Sequence, residues 1–220
     1  MEWAGYLTAA VAGYLLGSIP TGYLAGRIRG VDIRAAGSGN IGATNALRVL
    51  GKPAGIAVLA VDLLKGLAAC WLAAPSVDRA FFQHAQPAVG AREWLAVVCG
   101  VCAILGHNYT CWLRFKGGKG VATTGGVFLA LAPAATLATV ACWIAVAVST
   151  RYVSVASLAA AVALPLWVGW FGGSTVLVGI AAGAGLMAIV KHRANIRRLR
   201  AGTEHRWGAP RSRPPPQEAP

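Results

Sequence analysis

Long apolar stretches separated by short polar segments run through most of the chain. Four of them lie at about 2–25, 53–75, 93–113 and 121–149, and two shorter ones follow at about 155–171 and 174–190. A helix of about 20 apolar residues is enough to cross a hydrocarbon core of about 30 Å. The pattern therefore predicts an all-α integral membrane protein with several crossings.

The stretch 121–149 is too long to be one simple crossing. Its 29 residues would form a helix of about 43 Å at 1.5 Å per residue, and it is interrupted by Pro133. Division at Pro133 gives a bundle of seven transmembrane helices. The first half, 121–132, would be only about 18 Å long as a helix, so the sequence leaves open whether it spans the bilayer or is partly re-entrant.

The positive charges orient this bundle. Lys and Arg collect in cytoplasmic loops, and here the loop 26–52 has five basic residues against Asp32, while the tail from 191 has eight against Glu204 and Glu218. The short loop 76–92 has only Arg79 and Arg92 against Asp78. We therefore predict an N-terminus outside and a cytoplasmic C-terminus, which requires an odd number of crossings.

Composition supports a membrane protein and limits the function classes. Only 12% of the residues are charged, 56% are hydrophobic and the mean hydropathy is +0.59, whereas soluble domains have about 25% charged residues. The net charge of +13 is explained by topology and attraction to anionic lipid. Nucleic acid is not an expected partner, because no basic module with interleaved aromatic residues is present. The five cysteines lie in or beside apolar stretches, and no metal site is predicted.

The chain is predicted to form a single domain. Residues 1–204 make up the transmembrane domain, and residues 205–220 form a Pro-rich cytoplasmic tail that is expected to be disordered.

The first polar cluster follows the first apolar stretch and reads Gly37-Ser38-Gly39-Asn40-Ile41-Gly42-Ala43-Thr44-Asn45, with Arg48 beyond it. It contains a formal G-x-G-x-x-G, but a dinucleotide site needs that motif after a strand, and here it follows a membrane helix. Glycine backbone N–H groups, hydroxyls and a helix N-terminus together favour an anion. We interpret the segment as a phosphate-binding loop, with a flexible turn as the alternative.

The second cluster, Lys116-Gly117-Gly118-Lys119-Gly120, precedes another apolar stretch. It is not a Walker A loop, because Leu113 and Gly120 replace the glycine and the hydroxyl residue which that motif requires. Lys119 is nevertheless placed where a cation flanked by glycines can reach a phosphate. The alternative is an ordinary basic cytoplasmic loop.

The third cluster begins with Lys191-His192-Arg193 at the end of the last apolar stretch. His192 and Asn195 are three residues apart and share a helix face, while the arginines could simply meet anionic lipid. Within an earlier stretch, Asp62 and Lys65 are also three apart, and charges inside a membrane should pair or line a polar site. We favour a structural ion pair for them, and we expect His107 to be a hydrogen-bonded interfacial residue.

Together these motifs resemble the bacterial acyl-phosphate glycerol-3-phosphate acyltransferases, the PlsY family. The similarity runs from about residue 10 to residue 204 and includes Gly106-His107, Asp62-Leu-Leu-Lys65-Gly66 and Arg151-Tyr-Val-Ser154. Site residues fall into three groups on this basis. The expected catalytic residues are Ser38, Arg48, Lys119, His192 and Asn195. The expected substrate- and phosphate-binding residues are Gly37, Gly39, Asn40, Thr44, Asn45, Gly117, Gly118, Gly120, Ser154 and Ser157. The expected supporting residues are Asp62, Lys65 and His107.

The resemblance implies transfer of a fatty acyl group from acyl phosphate to the 1-hydroxyl of glycerol 3-phosphate, without a cofactor. It implies a multi-pass protein of the bacterial inner membrane with its site facing the cytoplasm. Expected partners are the two substrates, membrane lipid and, as a candidate, the enzyme that supplies acyl phosphate. The H-x-x-x-x-D motif of other glycerolipid acyltransferases is absent, because Val89, Trp112, Arg197 and Pro210 lie five residues beyond the four histidines.

Some alternatives stay open at this point. Either His192 or an oxygen of a substrate phosphate takes the proton of the attacking hydroxyl, and we favour the phosphate. A transporter of a phosphorylated solute would show inverted repeats and midplane binding residues, and a non-catalytic lipid-binding scaffold would leave the asparagines unexplained.

The predicted topology is testable by one-sided labelling. In a background without native cysteines, single cysteines replacing Asn40, Tyr152 and Arg200 should react with an impermeant reagent only from the cytoplasmic side, because basic loops stay inside. Labelling of position 152 from outside would contradict the seven-helix arrangement and favour an undivided helix over 121–149.

Overall fold

The computed structural model describes residues 2–82 and 91–208. Over these ranges the chain forms eleven α-helices and no β-strand. The helices are α1 (Glu2–Ser18), α2 (Thr21–Ile28), α3 (Ala43–Leu50), α4 (Lys52–Ala68), α5 (Ala74–Phe82), α6 (Ala91–Asn108), α7 (Val121–Leu131), α8 (Pro133–Thr150), α9 (Val153–Trp170), α10 (Thr175–Lys191) and α11 (Arg193–Arg200). A π-helical segment, Ala69–Ala73, joins α4 to α5, and single 3₁₀ turns lie at Ile33–Ala35 and Cys111–Leu113.

Helices long and apolar enough to cross a bilayer confirm an integral membrane fold. By length and composition the described residues provide five of them, and a sixth if α10 and α11, which meet at 55°, count as one broken span. The seventh predicted crossing is α7, whose 11 residues extend only about 16 Å. The count of seven and the orientation therefore stay predictions.

The predicted interruption at Pro133 is confirmed. Helix α7 ends at Leu131, Ala132 leaves helical geometry with a φ of −149°, and Pro133 is the first residue of α8. Proline lacks a backbone N–H, and in the first turn of a helix that group would have no intrahelical partner. The long apolar stretch is therefore interrupted at a position where proline removes no intrahelical hydrogen bond.

The predicted loop 76–92 is partly wrong. The helix that starts at Lys52 continues through the π-helical segment to Phe82, because Val77 and Phe82 are apolar and pack in one buried cluster with Ala9 of α1 and Cys99 of α6. Residues 83–90 lie outside the described part of the chain.

Small residues four positions apart predict close helix approach, and such motifs occur at Gly13 and Gly17, at Gly22 and Gly26, and at Gly179 and Gly183. Close helix packing explains one of them. Helix α1 runs along α6, and a Cβ added at Gly13 or Gly17 would collide with the backbone of Cys99 or Ala103. The motif formed by Gly22 and Gly26 behaves differently, because these glycines approach the following loop at the backbone oxygens of Ile41 and Val31. The motif thus marks close approach in both cases, but only the first is between membrane helices.

The third motif does not pack against a helix. Nothing lies within 4 Å of a Cβ built at Gly179 or Gly183 in α10, whereas Gly185 lies against Ala161 of α9. Sequence had predicted close approach at this motif, and that expectation is wrong. One face of α10 is packed on α9, and the face with the two glycines is open.

A buried ion pair fixes the break between α1 and α2. The Asp62 carboxylate and the Lys65 ammonium are 2.8 Å apart and about 97% buried. The hydroxyl of Thr21 donates to Asp62 Oδ1 at 3.0 Å, and Lys65 Nζ donates to the carbonyl of Ile19 at 3.0 Å. The Ile19 carbonyl also accepts from the backbone N–H of Thr21 at 3.0 Å, so the ammonium is a second donor at the point where Pro20 interrupts the helix. The favoured interpretation of Asp62 and Lys65 as a structural ion pair is confirmed.

The start of the predicted tail contacts the domain. The backbone N–H of Trp207 donates to the carbonyl of Arg151 at 2.7 Å, and Arg206 Nε donates to the Tyr152 hydroxyl at 2.8 Å. Residues 209–220 lie outside the described part of the chain, so the division at residue 204 and the disorder of the tail stay predictions.

Candidate active site

The first glycine-rich loop is organised by Asn45. This side chain is 1% exposed, its Oδ1 accepts a hydrogen bond from the backbone N–H of Ser38 at 2.8 Å, and its Nδ2 donates to the carbonyls of Ile33 and Ala36 at 3.1 and 3.0 Å. The amide is therefore engaged with the loop backbone. Asn45 was predicted to bind substrate, and its contacts instead make it the residue that shapes the loop.

The glycines of this loop allow its turns. Gly37 and Gly39 have φ values of 60° and 71°, which favour glycine, and a Cβ at Gly37 would collide with Asn45 Oδ1. Asn40 Oδ1 accepts from the N–H of Gly42 at 2.9 Å, just before α3. The loop therefore has a defined shape, and its residues Ser38 and Thr44 are exposed.

Arg48 lies on α3 one turn beyond Thr44. It is half-buried, and its Nε is buried without a hydrogen-bond partner among the described residues. Burial lowers the pKa of Arg48, and the positive charge of Arg198 lowers it further against the opposing effect of Glu204. A guanidinium keeps its charge in proteins, so this N–H is a free donor for an anion.

The second glycine-rich loop is attached to the end of α6. The N–H groups of Gly117 and Gly118 donate to the carbonyls of Asn108 and His107 at 3.2 and 2.9 Å, and a Cβ at either glycine would collide with these residues. Both glycines were predicted to bind phosphate, yet their N–H groups are used by the fold. Gly120 has a φ of 80° and turns the chain into α7.

This attachment leaves Lys119 as the functional group of the loop. Its Nζ donates to Asn195 Oδ1 on α11. Burial lowers the pKa of Lys119 to about 8, with Arg198 and Arg48 contributing and Glu204 opposing. The structure thus brings Arg48, Lys119 and Asn195 together from three separate segments.

Glu204 connects these cations, and sequence reasoning did not assign it a role. Its Oε1 accepts from Asn195 Nδ2 at 2.6 Å and its Oε2 from Arg198 Nε at 2.7 Å. Burial would raise the pKa of Glu204, but the hydrogen bonds from Asn195 and Arg198 lower it below its ordinary value. Between 191 and 208 this is the one acidic residue among the basic ones, which is the signal that could have indicated an ion pair.

His192 lies next to this cluster as a neutral side chain. It is 3% exposed, and its Nδ1 is 2.7 Å from the carbonyl of Ala188. Since a carbonyl only accepts, Nδ1 carries the hydrogen and Nε2 holds the lone pair. Burial and the nearby charge of Lys119 lower the pKa of His192 to about 4. At neutral pH it can accept a hydrogen bond at Nε2, but it is a weak base.

The two predicted serines on α9 are also buried. Ser157 Oγ accepts from Trp143 Nε1 at 3.3 Å. The hydroxyl of Ser154 lies near Glu204, outside ordinary hydrogen-bond geometry. These positions place α9 along the side of the cluster at which Glu204 is held.

His107 contacts the second glycine-rich loop at Gly118. It is 5% exposed and lies in the last turn of α6, so it is buried within the protein, and its interfacial position in the membrane stays a prediction. Its Nδ1 is 3.6 Å from Asp62 Oδ1, beyond ordinary hydrogen-bond length, and its carbonyl accepts from Gly118 as described above. His107 therefore lies between the Asp62–Lys65 pair and the loop that contains Lys119. Among the described residues, no three His, Cys, Asp or Glu side chains are grouped as a metal site.

Comparison with known proteins shows the family of this chain. The sequence pattern of the glycerol-3-phosphate acyltransferase family matches residues 7–202. A glycerol-3-phosphate acyltransferase of Geobacter sulfurreducens is 49% identical over 92% of this chain and 97% of its own length. One of Synechococcus sp. (strain JA-3-3Ab) is 46% identical over 94% of this chain and 95% of its own length.

Two crystal structures of PlsY (YgiH), an integral membrane glycerol 3-phosphate acyltransferase, have the same fold. Its glycerol 3-phosphate form superposes with a TM-score of 0.80 over 92% of this chain and 96% of that one, at 37% identity. Its lysophosphatidic acid form gives a TM-score of 0.77 over 92% and 95% of the two chains. By its sequence and its fold, the chain belongs to the glycerol-3-phosphate acyltransferase family and is an integral membrane enzyme.

Proposed function

We propose that the enzyme transfers a fatty acyl group from acyl phosphate to the 1-hydroxyl of glycerol 3-phosphate. The products are lysophosphatidic acid and inorganic phosphate. The observation that carries this proposal is the group of Arg48, Lys119 and Asn195 around Glu204, in which Arg48 Nε has no partner among the described residues. Both substrates carry phosphate, and a site with several cations can hold two such anions near each other.

The bond changes balance without a covalent enzyme intermediate. The glycerol hydroxyl oxygen attacks the acyl carbon, an ester bond forms, and the bond between that carbon and the phosphate oxygen breaks. Negative charge grows on the leaving phosphate, so Lys119 and Arg48 stabilise the transition state more than the ground state. The hydroxyl proton passes to an oxygen of a substrate phosphate.

The environment of His192 supports this choice of proton acceptor. With a pKa of about 4, its imidazole is poorly matched to general base catalysis at neutral pH. Its Nε2 is suited to accept a hydrogen bond from the hydroxyl and so to orient it. Ser38 and Thr44, exposed at the first loop, are placed to contact a phosphate of either substrate.

The acyl chain has a candidate site between two membrane helices. A cavity of about 260 Å³ between α6 and α10 is lined by Val101, Ile104, Ile180, Gly183, Ala184 and Met187. A fatty chain could enter it from the bilayer, where acyl phosphate dissolves. We place the polar end of the site at the cytoplasmic face of a bacterial inner membrane, as the basic loops indicate, with the acyl-phosphate-supplying enzyme as a candidate partner.

Donor specificity tests the proposal. Purified enzyme should release inorganic phosphate from palmitoyl phosphate only when glycerol 3-phosphate is present, and palmitoyl-CoA should give no product. The sequence contains no nucleotide-binding motif for the adenosine portion of acyl-CoA. Comparable turnover with palmitoyl-CoA would show that the donor assignment is wrong.

Substitution of the two cations tests their role. A hydrogen bond to a charged group contributes about 1.5–3 kcal/mol, so Arg48→Lys and Lys119→Gln should each lower kcat/KM by roughly 10- to 150-fold. Lysine lacks the planar fork of arginine and should not replace it.

Lys116→Gln is the matched control, because Lys116 is exposed in the same loop, and it should retain kcat/KM within about twofold. Thermal unfolding in detergent should show that all three variants are folded. Near-normal efficiency in Arg48→Lys and Lys119→Gln would exclude a phosphate-binding role for these two side chains.

The pH dependence of kcat/KM should report Lys119. This quantity reflects ionisation in the free enzyme, and the ammonium, with a pKa of about 8, is charged below that pH and neutral above it. We therefore expect kcat/KM to fall as pH rises through about 8. A wild-type profile that is flat from pH 7 to 10 would contradict the assignment, as would an unchanged decrease in Lys119→Arg.

A further inference from the structure

Helix α10 has an exposed strip of surface, which lies between the face packed on α9 and the side that faces α6. Gly179 and Gly183 lie one turn apart on this strip, both are exposed, and nothing lies within 4 Å of a Cβ built at either. Gly185, on the packed face, would collide with Ala161 of α9. The absence of side chains at 179 and 183 is therefore not required by the contacts of α10.

Gly183, the one of the two glycines that is nearer the active site, lines the apolar cavity between α6 and α10. Val101 and Ile104 of α6 form one wall, and the other wall consists of α10 residues from Ile180 to Met187, Gly183 among them. Since Gly183 is exposed, the cavity opens towards the surrounding lipid. A side chain at 183 would project into this space.

The Met187 end of the cavity adjoins Asn108, whose carbonyl accepts from Gly117 of the second glycine-rich loop. Asn108 Nδ2 donates to the sulfur of Met187 at 2.8 Å, and Lys191 Nζ donates to the Asn108 carbonyl at 2.6 Å. Asn108 is 1% exposed, and its Oδ1 is buried without a hydrogen-bond partner among the described residues. An apolar chain fits this cavity, and the Lys191 ammonium beyond its Met187 end is a cation for an anionic head group.

We propose that Gly183 and Gly179 determine the longest fatty acyl chain that the enzyme uses efficiently. This inference rests on the proposed function and names the substrate range of the same site. Gly183 lies nine residues before His192, or about 14 Å along the helix, and Gly179 lies about 20 Å from it. An extended polypeptide covers about 3.6 Å in three bonds, or about 1.2 Å per bond. By the same measure the two glycines lie beside about the eleventh and the sixteenth carbon of an extended chain.

The test is kcat/KM for acyl phosphates of 8, 12 and 18 carbons with Gly183→Leu and Gly179→Leu. Gly183→Leu should keep the 8-carbon donor within about threefold of wild type and lower the 18-carbon donor by at least about tenfold, the range that pocket sterics usually give. Gly179→Leu should leave the 8- and 12-carbon donors unchanged and lower only the 18-carbon donor.

Gly169→Leu on α9 is the matched control. This glycine is exposed, a Cβ there would make an ordinary 3.7 Å contact with Val178, and it does not line the cavity. Its chain-length profile should equal that of wild type. Thermal unfolding checks the fold of each variant, and Gly183→Val, with a smaller side chain, repeats the measurement should the leucine variant be unstable.

The outcomes separate this inference from the proposed function. An unchanged ratio of 18- to 8-carbon efficiencies in the folded position-183 variants would overturn the inference, and so would an equal loss at every length. Neither result would affect the proposed reaction, since phosphate release would still depend on glycerol 3-phosphate. Failure of the wild-type enzyme with all acyl phosphates would contradict the proposed function itself.

Discussion

Repulsion between cations is the constraint on which the site depends. Burial lowers the pKa of Lys119 and of Arg48; the charge of Arg198 lowers both further, and the charge of Arg48 also lowers that of Lys119. Burial makes the repulsion between these cations larger. The carboxylate of Glu204 compensates part of this charge through Asn195 and Arg198. It leaves the cluster with excess positive charge, which an arriving phosphate can neutralise. The geometry of the cluster therefore depends on one acidic residue beyond α11 and on the segment after it, in which the Trp207 N–H donates to the Arg151 carbonyl.

The glycines of the two loops have a different purpose from the one that their sequence suggests. In nucleotide-binding loops, glycines present backbone N–H groups to phosphate. Here Gly117 and Gly118 use those groups to attach their loop to α6, and Asn45 uses its amide to hold the first loop in shape. What the loops present are side chains on a rigid backbone. Rigidity matters because a cation that must reorganise on binding stabilises the transition state less than one already in place.

How much of this could be predicted from sequence depends on the range of the interactions involved. The apolar helices, the interruption at Pro133 and the Asp62–Lys65 pair follow from local pattern, and they agree with the structure. The family resemblance assigned residues of all three motifs to one site, and the structure brings Arg48, Lys119 and Asn195 together. The contact of Lys119 with Asn195 joins residues 76 positions apart, and no local pattern encodes it. The open face at Gly183 was missed for a related reason, since a small-residue motif has the same sequence whether it faces a helix or a gap.

Lys119 and His192, the two ionisable groups nearest the proposed reaction, differ in charge at neutral pH. Lys119 has a pKa close to neutral pH, and burial and neighbouring cations are the cause, while His192 is neutral for the same two reasons. A protonated His192 would add a further positive charge to a site that already has an excess, and the site suppresses this by burial. The imidazole is then limited to accepting a hydrogen bond. Because its low pKa makes His192 a weak base, the proposed phosphate-binding cluster favours a phosphate oxygen as the proton acceptor.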